Sequence, residues 1–168
     1  MGRRAKGAAV DREVHVLGTR SEMGMVGHPS VEVVGLSGER FVLAFEGAEA
    51  PQPGSHGPGD ISLRVSCAVG AFTCQVVTWV DRAAWNGFLS NLATLERERA
   101  GEASLDSMSP GEVHVTLALP KGGRVVCLDW SVGTQWGRQT ARFTASGVSV
   151  DVGLLAEFVS GARRIVPE

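Results

Sequence analysis

The sequence predicts an α+β domain: a mainly antiparallel sheet of about six to eight strands, one central helix packed on it, and a C-terminal helix. Three observations lead there. Apolar residues recur at every second position in several short runs, which is the period of a strand with one buried face. Trp85, Phe88, Leu89, Leu92 and Leu95 instead recur with the 3.6-residue period of a helix. Successive alternating runs are separated by only a few turn-forming residues, so they join as hairpins and leave no room for repeated crossover helices.

The chain has 168 residues, enough for one domain with a sizeable core. Residues 1–29 mix Gly, Arg, Glu and His and are expected to form an arm, with Glu13 to Leu17 as a single short strand. Residues 30–168 make the domain. Val31 and Val33 face Phe41, Leu43 and Phe45 across Leu36-Ser-Gly-Glu-Arg40, a first hairpin. Residues 47–59, with three prolines and four glycines, form a flexible loop. A second hairpin carries Ile61, Leu63, Val65 and Cys67 on one strand and Phe72, Cys74 and Val76 on the other, turning at Val69-Gly-Ala71.

The stretch from Asp81 to Gly111 reads as a single helix between two sets of strands. Asp81 is placed to accept from the first-turn amides, and Gly101 stands where the helix should stop. Glu102 to Ser109 is short and polar around Leu105 and Met108. A third hairpin, Glu112 to Leu119 and Gly123 to Val132, turns at Pro120-Lys-Gly-Gly123, and Gln139 to Ala145 adds a further strand. Ser149 or Asp151 caps a last helix whose stripe is Leu154, Leu155, Phe158, Val159 and Ala162. Arg163 and Arg164 complement the negative end of its dipole. No internal repeat of solenoid or propeller period is present.

No chemical motif stands out. His15, His28, His56 and His114 are too far apart for local metal-ligand spacing, and Cys67, Cys74 and Cys127 sit in apolar runs as reduced core thiols. Gly54-Ser-His-Gly-Pro-Gly59 and Lys121-Gly-Gly-Arg124 lack the strand-to-helix setting of a phosphate loop. The expectation is therefore no catalytic residues, no cofactor and no metal. A formal charge of -2 gives no basic footprint for nucleic acid. No apolar run reaches the ~20 residues of a membrane helix, and an h-region is missing behind the first charges, so a cytoplasmic protein is expected.

Surface features remain. Glu96, Glu98, Glu102 and Asp106 gather around the helix exit, interrupted by Arg97 and Arg99, either as a solvated face or as a docking surface for a basic partner. Trp79, Trp130 and Trp136 are anchors if exposed and core if buried, with Trp136 in the most polar setting. The rival from another class is a small hydrolase or ligand-binding enzyme whose site gathers distant residues such as His114, Asp129 and Cys127, or Cys74 with His114.

Several of these landmarks together resemble the WapI-type immunity proteins of bacterial polymorphic-toxin systems and related uncharacterised actinobacterial families. They are Asp81-Arg-Ala-Ala-Trp-Asn-Gly-Phe-Leu-Ser-Asn-Leu92, Gly101-Glu-Ala-Ser-Leu-Asp-Ser-Met-Ser-Pro-Gly-Glu112, the strands Val113 to Leu119 and Gly123 to Val132, and the strand-to-helix ending Phe143 to Phe158. The likeness covers roughly residues 60–165, and the 47–59 loop and the basic tail depart from it. It implies a small, non-enzymatic bacterial protein that sits on a cognate toxin or other protein and blocks it, as a monomer or small homo-oligomer. An oligomer-forming accessory domain is a further alternative.

Overall fold

In the computed structural model, which describes residues 28–50, 59–136 and 139–167, the alternating runs become strands. The expected N-terminal arm falls outside the described residues up to position 27, as does the 51–58 part of the loop. Strands β1 (Ser30–Val34) and β2 (Arg40–Ala48) pair antiparallel with Val31 opposite Leu43 and Val33 opposite Phe41, all four buried. Strand β2 continues through Gly47 and Ala48 after a bulge at Glu46, and Glu49 N donates to Asp60 O at 2.9 Å to close the neck of the loop. Strands β3 (Ile61–Val69) and β4 (Phe72–Val80) form the second hairpin in unbroken register.

Helix α1 (Arg82–Glu98) starts as read: the Asp81 carboxylate accepts from Ala84 N at 2.9 Å. Trp85, Phe88, Leu92 and Leu95 are buried, whereas Asn86, Ser90, Asn91, Thr94, Arg97 and Glu98 are exposed. The chain leaves through Arg99, at φ 52, and Gly101, at φ 116. Beyond this exit the structure adds an element. Residues Gly101–Asp106 form strand β5, whose only buried side chains are Ala103 and Leu105. Two apolar side chains are too short a pattern to stand out in a polar segment.

Strands β6 (Val113–Leu119), β7 (Val125–Trp136) and β8 (Gln139–Asp151) complete the set. Strand β8 runs further than expected, so Ser149 is a strand residue. Asp151 is the cap, accepting from Gly153 N at 2.7 Å at the start of a short 3-10 turn that leads into helix α2 (Leu155–Ile165). Leu155, Phe158, Val159 and Ala162 are buried on α2.

The eight strands divide into two antiparallel sheets, ordered β1-β2-β3-β4 and β5-β6-β7-β8. Each half of the chain is thus a four-stranded meander followed by a helix. The helices cross over: α1 packs most on β5 of the second half and α2 on β1 of the first, and the two helices touch. Gly161 permits the approach of α2 to β1, because a Cβ there would lie 2.5 Å from Val31 Cγ2. One core spans both halves, and Phe41 of β2 meets Trp130 of β7 with ring centroids 5.6 Å apart.

Candidate functional site

Strand alternation sends half of each sheet's side chains inward to this core and half outward. The outward faces of the two sheets differ in chemistry. On the first, Arg64 lies opposite Val77 and Ser62 opposite Trp79. The Glu46 carboxylate, thrown outward at the bulge, sits 2.6 Å from Arg64 Nη2 and 3.8 Å from His28 Nε2. Beside this half-buried ion pair, Val77 is 50% and Trp79 43% exposed. Trp79 is fixed by its backbone, since its carbonyl accepts from Met108 N at 2.8 Å, and Met108 is itself exposed. Neighbouring Thr78 donates to the Glu112 carboxylate.

The four sheet edges are unequal too. Edges with free backbone groups invite pairing with other chains, and proteins blunt them with charge, Pro or bulges. Strand β1 carries Glu32, paired with Arg40 of β2. Strand β5 carries Glu102 and Asp106, and β8 has Arg142, Asp151 and an irregularity around Gly147. Strand β4, Phe-Thr-Cys-Gln-Val-Val-Thr-Trp-Val, holds no charge, no Pro, no Gly and no register shift. Three of the exposed large apolar side chains, Phe72, Val77 and Trp79, belong to it. Between β4 and strands β7 and β8 runs an open cleft of about 190 Å³, lined chiefly by Cys74, Val76, Val132, Gly133 and Phe143, with Arg142 its one charged residue.

The second sheet's outward face is polar. Asp106 Oδ1 lies 2.7 Å from His114 Nδ1, and His114 Nε2 lies 3.1 Å from Thr116 Oγ1. With neutral imidazole, Nδ1–H donates to the carboxylate and Nε2 accepts from the hydroxyl. This is the order of groups used in nucleophilic catalysis, here on an exposed sheet face.

Of the residues singled out as partner-contacting, Glu102 and Asp106 share the outward face of β5. Glu98 ends α1 close by in sequence and is held by Arg97 Nε at 3.1 Å, while Glu96 is half-buried. Trp136 stands apart. Its backbone pairs with Gln139 at the far end of β7, five residues and so about 17 Å along the strand from Ser131, which lies opposite His114. Its side chain lies outside the described residues. Trp130 is core, at 1% exposure, and Trp79 is the exposed tryptophan among those described.

Of the catalytic combinations named from sequence, Cys74 with His114 does not assemble. Cys74 faces inward at the cleft, whereas His114 faces outward on the other sheet. Cys127 and Asp129 do share the outward face of β7, but Asp129 accepts from Gly147 N and His114 is engaged by Asp106. Thr116 shares the outward face of β6 with His114, as the alternation of that strand predicts; Asp106 is the partner that sequence reasoning missed, because strand β5 is needed to align it. Among the described residues no group of three or more His, Cys, Asp or Glu is arranged to hold a metal ion. None of the described helices is long and apolar enough to cross a membrane.

No protein-family model matches the chain, and no curated protein matches it. Among solved structures it is similar to one described as "Crystal structures of trypanosoma bruciei MRP1/MRP2", at 13% identity and a TM-score of 0.42, over 81% of this chain and 84% of that one. A likeness at that level carries nothing about function.

Proposed function

We propose that this chain is a non-enzymatic protein-binding domain, an immunity-like protein that occludes a cognate bacterial toxin. Strand β4 is the observation that supports a binding role: a charge-free edge presenting Phe72, Val77 and Trp79 to solvent, with Met108 hydrogen-bonded at its end. An exposed aromatic anchor beside a polar rim is what a protein interface needs. Trp79, with Val77, is that anchor on the outward face and the Glu46–Arg64 pair supplies the rim, while Phe72 is exposed at the turn end of the strand on the opposite parity. The toxin-blocking role rests on the resemblance over residues 60–165. In this reading the acidic side chains Glu98, Glu102 and Asp106 steer a basic partner rather than hold it.

The test is titration calorimetry of the purified chain with the product of the neighbouring reading frame, together with growth rescue on co-expression. Tight binding and rescue, both lost in Trp79→Asp, are the expected results. No heat at micromolar concentrations would overturn the reading.

A hydrolase is the second reading, and the Asp106–His114–Thr116 chain is what favours it. It predicts turnover of an activated ester by the wild type that disappears in His114→Ala; wild-type turnover no faster than buffer removes it.

A further inference from the structure

Cys67 and Cys74 both point inward from adjacent strands, and the register makes them direct partners across the β3–β4 hairpin. Directly opposed residues in an antiparallel ladder have Cα atoms about 4.5–5.5 Å apart. Disulfides close over roughly 4.4–6.8 Å. The register is fixed at both ends of the hairpin, from Ile61 opposite Val80 to Val69 opposite Phe72, with Gly70 at φ 57 in the two-residue turn. The two thiols differ in access. Cys67 is 3% exposed, whereas Cys74 is half-buried and lines the open cleft. Cys127, on the outward face of the other sheet, lies opposite Ala118 and Ser149.

We propose that Cys67 and Cys74 are a reversible dithiol–disulfide pair, with Cys74 the entry thiol, Cys67 the resolving thiol and a low-molecular-weight disulfide the oxidant. The Cys74 thiolate attacks one sulfur of the small disulfide, forming a mixed disulfide and releasing one small thiolate. The Cys67 thiolate then attacks the Cys74 sulfur, forming the Cys67–Cys74 bond and releasing the second. The protein loses two electrons, the small disulfide gains two, and the two protein thiol protons end on the released small thiols.

Burial pushes the Cys67 thiol up to about 12, with Cys74 adding to the shift, and burial also raises Cys74. Both nucleophiles are therefore mostly protonated at neutral pH. Formation of the bond accelerates as pH rises. Arg142 is the charged group that shares the cleft with Cys74. Once formed, the bond staples the exposed edge strand to its neighbour.

The experiment is incubation of the full chain with oxidised glutathione at mildly alkaline pH, followed by alkylation and peptide mass mapping. Free thiols are expected to fall from three to one, with a peptide pair linked through Cys67 and Cys74. Cys67→Ser should stop at a glutathione adduct on Cys74, and Cys127→Ser should still form the link. Three alkylated thiols, a persistent adduct on Cys74 in the wild type, or a link through Cys127 would each overturn the proposal. Because the wild-type map is decisive alone, failure of a variant to fold does not blur the result.

Discussion

The two halves of this chain share a layout, four strands and a helix, yet turn different surfaces to the outside. The first presents aliphatic and aromatic side chains, Val77 and Trp79, around a half-buried Glu46–Arg64 pair. The second presents Asp106, His114 and Thr116 in one hydrogen-bonded line, with Asp129 and Ser131 on the same face. Inward faces must satisfy the same packing demand, so they converge on Val, Leu and Phe. Outward faces are free to diverge, here toward exposed apolar side chains on one sheet and a polar hydrogen-bonded line on the other.

Several substitutions break or sharpen this comparison. The largest effect is expected where the halves meet: Trp130→Ala removes the contact with Phe41 and leaves a cavity in the shared core, costing about 3–5 kcal/mol. Phe88→Ala, on the buried stripe of α1, falls in the same range, and urea midpoints measure both. Gly161→Ala tests whether α2 really leans on β1. Helix propensity alone favours alanine by about 1 kcal/mol. The 2.5 Å approach to Val31 Cγ2 predicts instead a net loss of about 1–2 kcal/mol, and a gain would contradict the packing described. Asp81→Ala, losing the bond to Ala84 N, should cost about 1 kcal/mol in the same assay. Glu98→Ala, an exposed ion-pair partner, should shift stability by less than ~0.5 kcal/mol.

Much of the fold was legible in the sequence, because burying one face of a strand or helix leaves a periodic trace. The hairpin of Val31 and Val33 against Phe41 and Leu43, and the stripe from Trp85 to Leu95, are direct readings of that trace. Strand β5 was not legible: a six-residue edge strand with two inward side chains gives almost no period. Nor was the division into two sheets, since alternation tells which side chains face inward but not which strand is the neighbour. The site shows both limits. Aligning Asp106 with His114 requires β5, so that chain was out of reach. The Cys67–Cys74 pairing was missed by one residue: a turn at Val69-Gly-Ala71 sets Cys67 against Thr73, whereas Val69 is a strand residue opposite Phe72 and the turn is Gly70-Ala71 alone.

In the proposed binding role, partner contact falls on the first half, along β4, rather than on the polar face of the second. Amide hydrogen exchange of the chain alone and with the neighbouring-frame product tests this most directly. Added protection concentrated in residues 72–80 and around Met108 is the predicted result. Protection confined to β5 and β6, with β4 unchanged in the complex, would contradict it.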